Sequence, residues 1–347
     1  MRLKMLTRMR KPSVGKRLAG KRSAGITFTR CEKRMRIGRF MVLSSGLKRA
    51  GRAVMATVVA LAACTSLMAC GTSDGLDAQQ ANIDLSDVHE NKQLAAMVSS
   101  EVSHDGVLTV GSNATWAPAE FTGEDNETVI GFDIDIIKAV ATVLGLKVKV
   151  VDSAFATIIP SVGSKFDVGI SGFTITAERE KAVTFVQHYS AGMSYAVRAG
   201  NPKNIDSDNL CGVRASVQVG TAEETALEDS SVACVKAGKP AIALQVYEQQ
   251  TQATTALITG RSDVMYSDTP VSAYAVKQTK GKLELLGKPY DIAPQGIVVK
   301  KGDDKTAHAI QGALQELIDS GVYMRILKAW GVEDGAIDKA VINPKVD

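Results

Sequence analysis

From residue 106 to residue 331, short apolar stretches ending in polar residues alternate with segments of helical period, and the pattern restarts near residue 212. No other feature limits the fold so sharply, because strands separated by helices assemble into sheets covered by helices. GVLTVGS (106–112), KVKVV and FDVGI (166–170) read as strands. IGFDIDIIKAVATVLG (130–145) places Phe132, Ile134, Ile137, Val140 and Val143 at helical spacing, with Gly145 as its C-terminal cap. ATIIPSVG (156–163) is a short helix. TAEREKAVTF (176–185) is another, capped by Thr176 with an acid, Glu178, at N3. After the restart, GVRASVQVG (212–220) and SDVMYSD (262–268) are strands, and TAEETALED (221–229) opens a helix. IALQVYEQQTQATTALITG (242–260) covers a strand and a helix. LELLG and GIVVK (296–300) are two further strands, and residues 304–331 are helical with a break near Gly321. The expected architecture is α/β in two lobes, each a sheet flanked by helices. Lobe 1 is 106–192 plus 293–347, lobe 2 is 193–292, and the ligand cleft lies between them, where strand ends meet. Residues 71–105 read as a tether and a short helix, LSDVHENKQLAAMVSSEV, with little core-forming material.

Ahead of that body the composition changes. Residues 1–52 carry 17 Lys and Arg against one acid, Glu32, and AVMATVVALAA (53–63) follows without a charge. A basic region, an apolar region and then small residues form the secretory signal pattern, with Met35 or Met41 as alternative starts. The whole chain is +4, residues 1–70 contribute +16, and the remainder is −12. An acidic body argues against nucleic acid as a partner.

The five cysteines divide by context. LAAC (61–64) and LMACG (67–71) both resemble the lipobox of bacterial lipoproteins, whose cysteine is lipidated. Cys70 is the preferred site, since Gly71 and a polar stretch follow it, and Cys64 is the alternative. The implied location is extracytoplasmic, tethered to the outer face of the cytoplasmic membrane without spanning it. Cys211 and Cys234 are too far apart for a CxxC pair, and the four histidines offer them no zinc partners nearby, so no metal is expected. An even pair in an exported protein reads as a structural disulfide.

Candidate binding residues cluster after strands. SGFTITAERE (171–180) gathers Ser171, Gly172, Thr174 and Arg179 where a strand turns into a helix. The Arg179 fork suits a carboxylate, although EREK also suits a solvated helix face. Thr221 and Ala222 in QVGTAEE stand at a strand–Gly–helix junction. Its free N–H groups make an anion seat, or Thr221 simply caps the helix, with Glu223 in the first turn. Asp268 either caps a helix at Thr269 or Pro270 or turns its carboxylate into the cleft. Trp116 and Phe155 are aromatics in loops after strands, suited to a stacking wall or to core. A carboxylate clamp, an acid for an ammonium, hydroxyls and two aromatic faces complement the zwitterion of a free α-amino acid.

VGSNATWAPAEF, IGFDIDIIKAVATVLGLKV, AFATIIPSVGSKFDVGISGFTITAEREKAVTF, VQVGTAEE, GRSDVMYSDTPVSAYAV and LIDSGVYMRILKAWG, in that order, resemble segments of the family 3 extracellular solute-binding proteins, the polar amino-acid receptors of ABC importers. The resemblance covers about 106–332. It implies that Arg179 grips the α-carboxylate, helped by N–H groups around Thr174 and Ala222 and by the Thr221 hydroxyl. Asp268 takes the α-ammonium with the Gly172 carbonyl and the Thr174 hydroxyl, while Trp116 and Phe155 line the side-chain pocket. Cys211 and Cys234 resemble a pair in lobe 2 of some Gram-positive members. Members with basic ligands often carry an acid where this chain has Asn113, and Glu223 offers another acid. Relatives commonly carry a hydroxyl near Ala222, where this chain offers only its N–H. Neutral polar, cystine-like and basic amino acids all remain as ligands.

The resemblance further implies a monomer that closes by hinge rotation and docks on membrane permease subunits, with no cofactor and no chemistry. Two alternatives are a cleft enzyme of the same fold, dehydratase-like or peptidoglycan-cleaving, and a ligand-sensing subunit acting in trans. The chain carries no GxSxG, HExxH or Gly-rich nucleotide loop.

Overall fold

Long strands that belong to two lobes at once organise this protein. The structure is a computed structural model that describes residues 83–346. The expected signal segment, Cys64, Cys70 and the start of the tether lie outside the described residues.

Residues 83–105 form two single-turn helices, α1 (Lys92–Ala95) and α2 (Ser100–Ser103), in place of one short helix. They also supply core, because Val88, Val98 and Val102 are buried against the lobe beneath. Ion pairs Asp87–Arg325 (2.6 Å) and Glu101–Lys300 (2.8 Å) tie this strap down. No periodicity announces such a segment, since it buries single residues separated by irregular turns.

Lobe 1 begins with β1 (Val107–Ser112), then a small antiparallel sheet of β2 (Thr115–Trp116), β3 (Glu120–Thr122) and β4 (Val129–Ile130). Helix α3 (Phe132–Val143) is buried almost all round, its acids Asp133 and Asp135 included. After it come β5 (Lys147–Asp152), α4 (Phe155–Ser161), β6 (Val168–Gly169) and α5 (Ala177–Ala182). Thr176 caps α5, but the N3 residue is Arg179 and Glu178 is N2, so the acid expected at N3 stands one place earlier. The helix also stops short of 185. Val183, Thr184, Phe185 and Val186 are all buried and join a strand, so tertiary pairing overrides the helical run.

That strand, β7 (Val183–Arg198), leads into lobe 2, formed by β8 (Arg214–Gln218), α6 (Ala222–Lys236), β9 (Ala243–Tyr247), α7 (Gln250–Ile258), β10 (Val264–Asp268) and α8 (Thr269–Gln278). The chain returns through β11 (Leu283–Lys300), which unites LELLG and GIVVK in one strand. Helices α9 (Asp304–Asp319) and α10 (Val322–Trp330) then cover lobe 1, separated at Gly321, whose φ of 80° interrupts the helix.

Eight strands form one sheet in the order β5-β1-β6-β11-β7-β10-β8-β9. β7 and β11 are antiparallel neighbours, pairing 183–187 with 296–300 in lobe 1 and 195–198 with 283–286 in lobe 2. Between those blocks the register shifts three times, at Leu286/Tyr290, Tyr290/Ala293 and Gln295/Gly296. Bulges of this kind bend a strand and loosen its ladder, here over 188–193 and 290–296 where the chain crosses between the lobes. Each lobe keeps its own apolar core, as α3, α9 and α10 pack on the sheet in lobe 1 while Val217, Leu227, Val264 and Tyr266 meet in lobe 2.

Cys211 and Cys234 are joined, with Cα atoms 5.5 Å apart, linking the approach to β8 to the last turns of α6. Replacing both with alanine should destabilise the protein by about 3 kcal/mol on the chain-entropy account of a loop this long. Urea unfolding of the two forms, oxidised, is the check.

Candidate functional site

The C-terminal ends of β1, β6, β8 and β10 converge between the lobes. They deliver Ser112 and Asn113, Ser171 and Gly172, Gln218, and Asp268 to one place. Open α/β sheets bind ligands at such ends, where strands stop and backbone N–H groups are free.

Asp268 is the centre of this arrangement. It precedes α8 but makes no side-chain cap bond. Its carboxylate turns to the cleft, where Oδ2 accepts from Trp116 Nε1 at 3.2 Å and from Gln295 Nε2 at 2.8 Å. Arg179 faces it from the other pole. Nη1 donates to the Thr174 carbonyl at 2.7 Å and Nη2 to the Gly220 carbonyl at 2.9 Å, so the guanidinium reaches across to lobe 2. Its carbon lies 5.6 Å from the Phe155 ring centroid and 5.9 Å from that of Phe173, on two aromatic faces. Three of its five donors remain for a ligand.

Thr221 caps α6, accepting from Glu224 N at 3.1 Å and donating to the Gln218 carbonyl at 2.8 Å. Ala222 and Glu223 are then the first two helical residues. Glu223 is buried and its Oε1 has no hydrogen-bond partner among the described residues. Burial lifts its carboxyl above the usual range, while the Arg179 charge opposes the shift. Asp268 is raised well above that range, by burial first and by the Glu223 charge second. Burial pushes Arg179 down, against the pull of both acids.

Trp116 and Phe155 are both buried, with ring centroids 6.4 Å apart and planes 19° from parallel. Asn113 crosses the cleft, its Oδ1 accepting from Gln218 Nε2 at 2.9 Å, and Thr115 Oγ1 accepts from Gln250 N at 3.2 Å. Ser171 stands one layer below the surface, where its hydroxyl accepts from Asn113 N at 3.0 Å and donates to Glu120 Oε1 at 2.8 Å. Gly172 has φ +53°, and a Cβ there would come 2.9 Å from Trp116 Nε1, so only glycine lets the indole approach.

Arg179, Asp268, Glu223, Thr221, Ala222, Gly172, Thr174, Trp116, Phe155 and Asn113 therefore gather around one cleft. Gln218 and Gln295 are further cleft residues that sequence reasoning missed. Gln218 ends a strand in VQVGTAEE and was findable by its position. Gln295 had no local signal, because its contact with Asp268 depends on the hinge register.

A two-lobe α/β protein with a charged cleft at its strand ends has the architecture of the type II periplasmic amino-acid-binding proteins. Comparison with known proteins agrees. The model of the bacterial extracellular solute-binding proteins, family 3, matches residues 108–333. The arginine-binding protein ArgT of Corynebacterium glutamicum is 37% identical over 297 residues, covering 84% of this chain and 96% of its own. The ABC transporter glutamine-binding protein GlnH of Bacillus subtilis is 28% identical, covering 80% and 97%. An ancestral arginine-binding protein bound to arginine superposes with a TM-score of 0.60 at 34% identity, covering 65% of this chain and 98% of that one. The chain belongs to family 3 of the bacterial extracellular solute-binding proteins.

Beneath the cleft, burial and then the Asp133 charge raise Glu120 well above the ordinary carboxyl range. A folded-state pKa above the unfolded one means the native protein holds the extra proton. Stability then falls as pH rises from the unfolded pKa through the folded one. Glu120→Gln, which cannot ionise, should therefore raise the melting temperature above that of wild type at the alkaline end, by roughly 2–4 °C for each kcal/mol gained. It should also flatten the loss of stability as pH rises. Melting curves from pH 4 to 9 test both.

Proposed function

We propose that this protein captures a free α-amino acid with a cationic side chain, arginine foremost, outside the cytoplasm and delivers it to the permease subunits of an ABC importer. The observation that carries the choice of ligand is a count of buried charge. Two acids, Asp268 and Glu223, share the cleft with one cation, Arg179. Burial raises both carboxyls, so beside a neutral zwitterion one of the two acids keeps a proton, whereas a cationic amino acid brings the second positive charge that lets both ionise.

The geometry supports one binding sequence. Arg179 and the Ala222 N–H receive the α-carboxylate at the start of α6, where the helix dipole favours an anion. Asp268 receives the α-ammonium with the Gly172 carbonyl and the Thr174 hydroxyl. The side chain then runs between Trp116 and Phe155. A planar guanidinium stacked on two rings needs ~7 Å between them, and their centroids stand 6.4 Å apart, so a small parting admits it. Gln218 Oε1, buried and without a partner among the described residues, is an acceptor for its N–H groups. Asn113 supplies a neutral acceptor where relatives with basic ligands often carry an acid, which moves the charge match to Glu223. The similarity to ArgT supports the same ligand.

Rotation at the hinge brings the lobes together over the ligand, and the closed pair of lobes presents one surface to the permease. We assign residues 106–192 and 293–347 to lobe 1 and 193–292 to lobe 2, a division supported by the strand crossings of β7 and β11. Removal of a signal segment and lipidation at Cys70, with Cys64 as alternative, would tether a monomer to the outer face of the cytoplasmic membrane. The cleft binds and performs no reaction, and it needs no cofactor.

Thermal shift against arginine, lysine, glutamine and cystine tests the ligand. Arginine at a hundredfold excess over its Kd should stabilise by ~2.7 kcal/mol, a rise of roughly 5 °C or more. Arg179→Ala and Asp268→Ala should each abolish the rise. Stabilisation by glutamine or cystine and not by arginine would replace the cationic reading with a neutral one.

Protonation gives a second check. An ammonium against Asp268 lowers a carboxyl that burial had raised, so arginine binding should release protons wherever the ligand-free carboxyl still holds one. Affinity should then fall as pH drops through the raised pKa values. Titration calorimetry in two buffers of different ionisation enthalpy measures that release, and identical heats in both would exclude it.

A further inference from the structure

Behind the ammonium side of the cleft lies a buried acid that the binding scheme does not use. Asp133, in the first turn of α3, is wholly buried, as is His188 on β7. Asp133 Oδ2 accepts from the Gly172 N–H at 3.0 Å, and Asp133 Oδ1 lies 2.7 Å from His188 Nε2. That ring nitrogen therefore carries the proton, since a carboxylate oxygen can only accept there. His188 Nδ1 has no partner among the described residues.

Where these partners sit is informative. Gly172 is the residue whose carbonyl faces the ligand ammonium, and its φ of +53° is a conformation that its N–H bond helps to hold. His188 falls at the register shift where Gln187 pairs with Gly296 and Tyr189 with Gln295, so it is the extra residue of the bulge that begins the hinge. Its carbonyl accepts from the Tyr323 hydroxyl at 2.8 Å, anchoring it in lobe 1 through main chain as well as side chain. Across the same ladder stands Gln295, whose amide holds Asp268. One bulge thus connects to the lobe 1 wall of the site through Asp133 and to the lobe 2 acid through Gln295.

We propose that Asp133 and His188 are positioning residues of the amino-acid site, a role that rests on the function proposed above. Asp133 sets the Gly172 peptide against Asp268 and Trp116, and His188 pins that setting to the fixed end of the hinge. Closure then brings Asp268 to an ammonium seat that is already formed, and the flexing part of β7 begins beyond His188. Glu120, holding the Ser171 hydroxyl at 2.8 Å, supports the neighbouring residue from the same side.

The test uses the full chain with Asp133→Asn, His188→Gln and His188→Phe. Each is read by arginine calorimetry and by the amide resonance of Gly172 in glycine-labelled protein. Asp133→Asn exchanges a charge-assisted acceptor for a neutral one, so the Gly172 amide proton should move upfield and affinity should fall roughly ten- to a hundredfold. His188→Phe should weaken binding comparably, and His188→Gln, which keeps an N–H donor, should restore most of it. Affinities within about twofold of wild type in folded Asp133→Asn and His188→Phe overturn the proposal. So does a Gln variant as weak as the Phe variant. If the wild type binds no amino acid, the proposed function fails by itself. The Gly172 resonance still decides the pairing, because an unmoved amide in Asp133→Asn overturns it without any ligand.

Discussion

The antiparallel pairing of β7 with β11 is the constraint from which the rest follows. Sixteen residues of one strand and eighteen of the other carry the backbone ladder from lobe to lobe, so neither lobe's sheet is complete without them. A ladder that continuous would be stiff. Three register shifts over 286–296 interrupt it and confine bending to one short region. The interruption lies between two intact blocks of pairing, one in each lobe, which is what the proposed closure needs. Gln295, inside that region, reaches Asp268, which couples backbone register directly to the charge that defines the cleft.

The cleft brings charge into a buried place and leaves it partly matched. Arg179 uses two of its donors on main-chain carbonyls of both lobes, and Asp268 uses one oxygen on an indole and an amide. Glu223 has the least help, with one oxygen unpartnered. Desolvation makes such a group costly unless a counter-charge arrives, and that cost is what lets a protein of this kind discriminate. A ligand that lacks a matching group leaves a buried charge unpaired, which is a larger penalty than the loss of any apolar contact.

Much of the fold was legible before the structure. Strand and helix periods located β1, β5, β6, β8, β9 and β10 and most of the helices around them, but not β2, β3, β4 or β7, and polar residues after strand ends pointed to Arg179, Thr221, Asp268, Trp116 and Phe155. The misreadings share one cause. Helix α5 stops at Ala182 because Val183 to Val186 have strand partners more than a hundred residues away, and LELLG and GIVVK merge because β7 supports one long strand. The strap over 83–105 was undervalued because Val88, Val98 and Val102 reach the core singly, with no period to reveal them.

By itself the sequence determined the α/β alternation, the restart that makes two lobes, the glycine at Gly172 and the residue types from which a zwitterion site is made. Periodicity, left-handed backbone and side-chain chemistry are local properties, carried by a few neighbouring residues. Only the tertiary structure decided that Asp268 turns to the cleft instead of capping α8 and that Thr221 spends its hydroxyl on the helix. It alone placed Gln218 and Gln295 in the cleft, and Asp133 beneath it in contact with both Gly172 and the hinge. Those outcomes depend on register and on distances between residues far apart in the chain, and no short stretch of sequence contains them.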